Sequence, residues 1–139
     1  MMFNNKIIVA THGNLAESLV ETSQMIMGKA DNVYVLGLQP GMDIDQYRKD
    51  LVDEILREPE CDVLIMLDLI AGTPFNSIIS TLDKSNVSLV TGVNLPMLIE
   101  VLSQKDVMSV EELCAQAKKV GTFGIQTKED ILKRHREVM

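Results

Sequence analysis

The sequence predicts an α/β fold, an open, mostly parallel, doubly wound sheet of four strands flanked by helices. Short apolar runs rich in β-branched residues alternate with segments whose apolar residues recur at helical spacing. The run at residues 62–68, DVLIMLD, holds five successive apolar residues and has no solvent side, as expected of a strand covered on both faces. The chain has 139 residues, 46% of them hydrophobic, which suits a single domain over residues 1–139.

The first strand and the first helix meet at a histidine. Residues 7–10 form a short apolar run, and Gly13 allows a sharp turn. Asn14 is predicted to cap the following helix, and Glu17 three residues later completes a capping-box pattern. His12 is therefore predicted at the carboxyl end of a strand, facing a helix amino terminus that attracts anions such as a phosphoryl group.

The middle of the chain continues the same alternation of strands and helices. Proline at the first helical position favours a helix start, and two of the predicted helices begin in this way. The predicted elements are a strand at residues 33–38, a helix from residue 43 to near Pro59, a strand at 62–68, a helix from Pro74 to Ser80, a strand at 87–90, a helix from Pro96 to Leu102 and a helix at 110–119.

The end of the chain differs from this pattern. Residues 120–127 form a glycine-broken segment in which apolar and polar or small residues alternate. This predicts a short late strand at residues 122–126, which can join a sheet only at an edge, either of its own subunit or of a partner. Residues 128–139 are predicted to form a C-terminal helical tail, in which His135 and the basic residues are solvated.

Composition excludes several classes of function. The formal net charge of −7 argues against nucleic acid and anionic membranes as partners. No apolar stretch approaches the length of a membrane span or a secretion signal, so a cytoplasmic location is expected. Cys61 and Cys114 share no metal or redox spacing, and the glycine motifs of nucleotide binding are missing. The sequence therefore predicts no metal site and no cofactor.

Three polar clusters follow predicted strands. They are residues 11–13, Asp68 with residues 72–74, and Gly92 with Asn94. In an open parallel sheet the ligand site lies outside the carboxyl ends of the strands, so these clusters are predicted to lie together.

The chemistry of these residues suits phosphoryl transfer. If Asp68 accepts a hydrogen bond from His12 Nδ1, it fixes the tautomer and leaves Nε2 free to attack phosphorus. Thr73 would offer a hydroxyl, and the loop backbone at Gly13 and Gly72 would surround the phosphoryl group. The residues alone support plainer roles as well. The histidine and the carboxylate would then only stabilise turns, and the threonine would only cap a helix.

The segments IIVATHGNLAESL, DLIAGTPFN and TGVNLPML, in this order and spacing, resemble the enzyme IIA domain of the mannose class of the bacterial sugar phosphotransferase system. The resemblance covers residues 6 to about 126. It implies a phosphotransferase in which His12 takes a phosphoryl group from the phosphocarrier protein HPr and passes it to the IIB component during carbohydrate uptake. It also implies that Asp68 orients the imidazole and that Thr73 is the hydroxyl residue of the loop. Ala71 stands where the family usually has a first glycine.

The resemblance also implies partners. Family members are homodimers whose last strand is exchanged onto the partner's sheet, which agrees with the strand predicted at residues 122–126. The membrane components IIC and IID would be contacted only indirectly. We assign partner docking to an apolar rim that includes Met42 and Ile70, whereas Phe75 and Met97 are interpreted as core. The carbohydrate cannot be inferred, because a IIA component contacts only phosphorylated proteins.

Two alternative functions stay open at this point. One is the related phosphotransfer subunit of dihydroxyacetone kinase, which has the same histidine chemistry but a different acceptor. The run AGTPFN after Asp68 matches the sugar-transport pattern better. The other is a non-catalytic domain that regulates a partner according to its phosphorylation state.

Overall fold

The computed structural model describes residues 2–138 and contains one four-stranded parallel sheet with strand order β2-β1-β3-β4. The strands are β1 Asn5–His12, β2 Val33–Leu38, β3 Asp62–Leu67 and β4 Val87–Val90. The helices are α1 Leu15–Met27, α2 Ile44–Leu56, α3 Thr73–Ile78, α4 Leu95–Gln104, α5 Val110–Phe123 and α6 Lys128–Val138, and a 3₁₀ turn, Ile79–Thr81, follows α3. The predicted α/β class and its four-stranded parallel sheet are confirmed.

Helices cover both faces of the sheet and form two apolar cores. On one face, Ile7 and Val9 pack with residues of α1, α4 and α5. On the other face, Ile8 and Ala10 pack with residues of α2 and α3. All four of these β1 residues are fully buried, because β1 lies between two strands and under two helical layers.

The register of the sheet determines which polar residues meet. Ala10 of β1 lies opposite Leu67, the last residue of β3, and His12 lies opposite Leu38, the last residue of β2. Three parallel strands therefore end at the same edge. His12 and Asp68, which follows β3, are brought to this edge by strand pairing.

A buried cation lies toward the opposite end of β1. The Lys6 side chain is fully buried, and its Nζ lies 2.5 Å from Glu54 Oε2 and 3.3 Å from Glu58 Oε1. The same ammonium lies 4.7 Å from the centroid of the Tyr34 ring. A buried charge is tolerated only when it is paired, and these contacts pair it.

The predicted late strand is wrong. Helix α5 continues to Phe123, four residues past its predicted end at residue 119, and the sheet formed by residues 2–138 has no fifth strand at residues 122–126. The two glycines that suggested a break are sites of close helix packing. A Cβ on Gly121 would lie 2.7 Å from Met97 Cε, and one on Gly124 would lie 2.8 Å from Pro96 Cγ. Small residues there let α5 approach α4.

The tail forms α6, Lys128–Val138, and residue 139 of the predicted tail lies outside the described residues. Thr127 and Asp130 cap its amino terminus, since each backbone N–H donates to the other side chain, at 3.0 Å and 3.1 Å. None of its residues is buried. Within residues 2–138, no helix has both the length and the apolar character needed to cross a membrane.

Candidate functional site

The site is built around a bond between the ends of two neighbouring strands. His12 Nδ1 lies 2.9 Å from Asp68 Oδ2, and the backbone N–H of His12 donates to the same oxygen at 3.0 Å. The other carboxylate oxygen accepts the backbone N–H of Leu69 at 2.9 Å. Asp68 therefore holds both the backbone and the ring of His12, and these contacts support an orienting carboxylate over one that only stabilises a turn.

The charge of Asp68 determines the tautomer of the histidine. Burial raises the pKa of Asp68, but the hydrogen bonds from the His12 backbone and ring and from Leu69 outweigh it and hold the pKa below its usual value. The carboxylate is thus ionised at neutral pH and can only accept hydrogen bonds. His12 Nδ1 must carry a proton, and in the neutral ring Nε2 presents a lone pair.

The side chains of His12 and Asp68 differ in solvent exposure. The side chain of His12 is 43% exposed and that of Asp68 only 12% exposed. The orienting group is therefore largely shielded, while the imidazole remains within reach of a molecule that approaches this edge.

Gly72 lies directly against the imidazole. A Cβ on this residue would lie 3.0 Å from His12 Nε2 and 2.9 Å from Cε1, and its φ of +96° is a conformation that other residues rarely adopt. Any side chain here would press on the ring beside its free nitrogen. Glycine therefore keeps the space around Nε2 open, and the loop before α3 lies next to this nitrogen.

Thr73 is the first residue of α3, and Gly72, not Thr73, occupies the cap position. The backbone oxygen of Thr73 accepts the Ser77 hydroxyl. Among residues 2–138, no hydrogen bond involves the Thr73 hydroxyl, so it is not committed to the cap role that the sequence also allowed. The hydroxyl therefore has bonding capacity to offer a ligand at the loop.

Two other predicted contributors have structural roles. The backbone N–H of Gly13 donates to Leu38 O at 2.8 Å, so it is not free to face a phosphoryl group, and the residue serves the turn through its φ of +60°. The third polar cluster does not contribute a side chain to the site. Asn94 caps α4 by accepting from Met97 N at 3.0 Å and donates to Gly121 O at 3.0 Å.

The prediction that the Asn14 side chain caps α1 is wrong. Asn14 precedes the helix but makes no capping hydrogen bond with its side chain, which instead accepts from Gln39 Nε2 at 2.8 Å. The capping-box pattern with Glu17 is therefore not formed. The hydroxyl of Thr11 accepts the N–H of Ala16 at 2.8 Å in its place.

Gly37 supports the turn after His12 and was missed by the sequence analysis. It pairs with Thr11 in the sheet, and a Cβ there would lie 2.2 Å from Gly13 O. The close approach of β2 to the turn therefore requires glycine. The available signal was a glycine inside an otherwise apolar strand, which often marks close backbone approach.

The residues assigned to partner docking lie on the surface. Met42 is 46% exposed and Ile70 is 73% exposed, and they belong to the loops after β2 and β3 at the His12 edge. Met97 is buried in one core, and Phe75 packs against the other. The structure thus agrees with the interpretation of Phe75 and Met97 as core residues.

One cluster of possible metal ligands lies elsewhere. The ligand atoms of Glu58, Glu60 and Cys61 lie within 4.8 Å of one another, just before β3 begins. This is the amino edge of the sheet, whereas His12 lies at the carboxyl edge. The Lys6 ammonium already contacts Glu58, so a cation would compete with it.

The fold and the site together define a class: an open parallel α/β protein that presents a carboxylate-oriented histidine at the carboxyl edge of its sheet. Comparison with known proteins makes the assignment specific. Residues 6–118 match the family model EIIA-man, described as the fructose IIA component of the phosphotransferase system (PTS). The chain belongs to this family.

Individual relatives agree with the family. The chain is 33% identical over 126 residues to the PTS system mannose-specific EIIAB component of Escherichia coli K12; the match covers 86% of this chain but only 38% of that protein. It is 28% identical over 130 residues to the PTS system fructose-specific EIIA component of Bacillus subtilis, covering 92% and 89% of the two chains. The solved PTS IIA protein associated with the fucose utilization operon of Streptococcus pneumoniae has a TM-score of 0.80 at 32% identity, covering 94% and 97% of the two chains.

Proposed function

We propose that His12 is the phosphoryl carrier of a sugar phosphotransferase system, accepting the group from phosphorylated HPr and passing it to a IIB component. The observation that carries this proposal is the 2.9 Å contact between His12 Nδ1 and Asp68 Oδ2. It assigns the proton to Nδ1 and leaves Nε2 as the nucleophile. Membership of the EIIA-man family supports the same role.

The proposed chemistry is a transfer between nitrogen atoms. The lone pair of His12 Nε2 attacks phosphorus, the phosphorus–nitrogen bond of the donor phosphohistidine breaks, and the electron pair returns to the donor ring. Positive charge that develops on the His12 ring is stabilised by the Asp68 carboxylate on Nδ1. In the second transfer Nε2 is the leaving atom and a nucleophile on IIB is the acceptor. Alignment and electrostatics supply most of the catalysis.

The loop before α3 would hold the phosphoryl oxygens. Gly72 leaves room beside Nε2, and the Thr73 hydroxyl and the backbone N–H groups at the start of α3 supply hydrogen-bond donors. Met42 and Ile70, exposed on neighbouring loops, would contact the protein partners. No cofactor enters this scheme, since the phosphoryl group arrives already activated on a protein.

A labelling experiment tests the proposal. The chain is incubated with enzyme I, HPr and radiolabelled phosphoenolpyruvate, and the site of any acid-labile phosphoryl group is mapped. We expect stoichiometric label on His12 and its release upon addition of the cognate IIB. Label that stays on the chain with every IIB tested, but leaves with a dihydroxyacetone kinase, would favour that alternative instead. Absence of label would contradict a carrier role.

We infer that the chain forms a homodimer through the side of the molecule that carries β4, α5 and α6. The outer edge of β4 is unpaired within the described chain, and a groove of about 710 Å³ runs along α5. Phe123 is 58% exposed, Ile125 70% and Ile131 52%, so this side presents an apolar surface of the kind that marks protein contacts. Light scattering should give twice the 15.5 kDa chain mass, and a monomer at micromolar concentration would contradict the inference.

A further inference from the structure

Thr11 has an unusual position beside the reactive histidine. It is fully buried, and its hydroxyl accepts the N–H of Ala16 in the first turn of α1 at 2.8 Å and donates to the backbone oxygen of His12 at 3.2 Å. Side chains alternate along a strand, so Thr11 and His12 point to opposite faces of the sheet. The hydroxyl touches no atom that would react.

This hydroxyl replaces the usual helix cap. The residue before α1, Asn14, would normally satisfy the N–H groups of the first turn, but its side chain bonds Gln39. Thr11 therefore ties the start of α1 to the end of β1 across the three residues 12–14. A buried N–H without a partner is costly, so this bond is strongly favoured.

Two further hydrogen bonds hold the turn from other elements. The His12 backbone N–H donates to Asp68, which follows β3, and the Gly13 N–H donates to the backbone oxygen of Leu38 in β2. Neither of these bonds involves α1, whose backbone contact with the turn is the bond from the Ser18 N–H to Asn14 O at 3.0 Å. Of the side-chain hydrogen bonds that residues 11–14 make within residues 2–138, the one between Thr11 and Ala16 is what ties the turn to α1.

We propose that Thr11 is a positioning residue for phosphoryl transfer at His12. The inference rests on the proposed function and deepens it. Without the hydroxyl, the first turn of α1 and residues 12–14 can shift relative to Asp68 and Gly72. The Nε2 lone pair would then no longer be aligned with the phosphorus atom. In-line transfer is sensitive to such shifts, since a displacement of about 1 Å can slow a reaction by about 100-fold.

A graded series of variants tests this role. Thr11→Val keeps the shape but removes the acceptor, Thr11→Ser keeps the hydroxyl, and Thr11→Cys offers only a weak sulfur acceptor. Single-turnover transfer from phosphorylated HPr is followed in the full chain at several HPr concentrations. For Thr11→Val we expect the rate constant at saturating HPr to fall about tenfold with the half-saturating concentration unchanged. Thr11→Ser should stay within about twofold of the wild type, and Thr11→Cys should lie between Ser and Val.

The same measurement separates positioning from mere stability. Partial unfolding lowers the amplitude of transfer but not the rate constant of the folded molecules, so an amplitude loss alone would overturn the proposal. Equal slowing by Ser and Val would also overturn it, because the hydroxyl would then not be the cause. If Thr11→Val does not fold, the comparison of Cys with Ser decides: slower transfer by Cys supports the role, and equal rates refute it. A wild-type chain that takes no label would instead refute the proposed function itself.

Discussion

Replacing His12 with glutamine is expected to abolish phosphoryl transfer to the chain. Glutamine retains an amide N–H that can donate to Asp68, so the turn keeps its hydrogen bond and the fold is preserved, but the amide offers no nucleophilic nitrogen. Label from phosphorylated HPr should fall below detection at times when the wild type is fully labelled. Circular dichroism and denaturant unfolding should show the wild-type fold.

The second histidine provides the matched control. His135 lies in α6, where no residue is buried, and it is far from His12 in the sequence. His135→Gln should therefore accept label at the wild-type rate. Label that persists in His12→Gln and disappears in His135→Gln would place the carrier on the tail and overturn the assignment.

Replacing Asp68 with alanine is expected to slow transfer by about 100-fold, without loss of the fold. The variant removes the acceptor for the imidazole Nδ1, so the tautomer is no longer fixed and the charge on the phosphorylated ring is no longer offset. The His12 and Leu69 N–H groups also lose their acceptor, which should lower the free energy of unfolding by about 1–3 kcal/mol. Rapid-quench kinetics and urea unfolding measure the two effects separately.

Asp68→Asn distinguishes tautomer control from simple packing. Asparagine has nearly the shape of aspartate, but its amide can donate to Nδ1 and so place the imidazole proton on Nε2. Transfer should then be slowed about as much as in Asp68→Ala, although the variant is better packed. A rate constant equal to that of the wild type in either variant would remove Asp68 from the mechanism.

The central part of the site was predictable because it depends on strand order and on apolar periodicity. Burial on both faces identified β3, and the rule that ligands lie beyond the carboxyl ends of parallel strands paired Asp68 with His12. Both inferences use only local sequence and general topology. The bonded pair therefore follows from the sequence once the two strands are adjacent.

The supporting residues were not predictable in the same way, because their roles depend on distances between elements. Gly37 is required by a neighbouring carbonyl, and Gly121 by the side chain of Met97, and neither neighbour is near in sequence. A glycine that permits close packing cannot be distinguished from one that ends a helix by local pattern alone. This is why residues 120–123 were predicted as extended. Thr11 caps α1 in place of Asn14 because the Asn14 side chain accepts a hydrogen bond from Gln39, the residue after β2.

His12 is the last residue of a central strand, and this placement determines which parts of the protein can change without disturbing the imidazole. Strand β1 is paired on both sides and its central residues are fully inaccessible, so it belongs to the portion that opens only when the whole molecule unfolds. The loop after β3 also holds the imidazole through Asp68 and Gly72, but the side chains of Met42 and Ile70 on these loops point to solvent, with 46% and 73% exposed. If these two residues contact the partners, as we propose, substitutions at Met42 and Ile70 are expected to alter partner recognition with less effect on the imidazole than changes at Asp68 or Gly72.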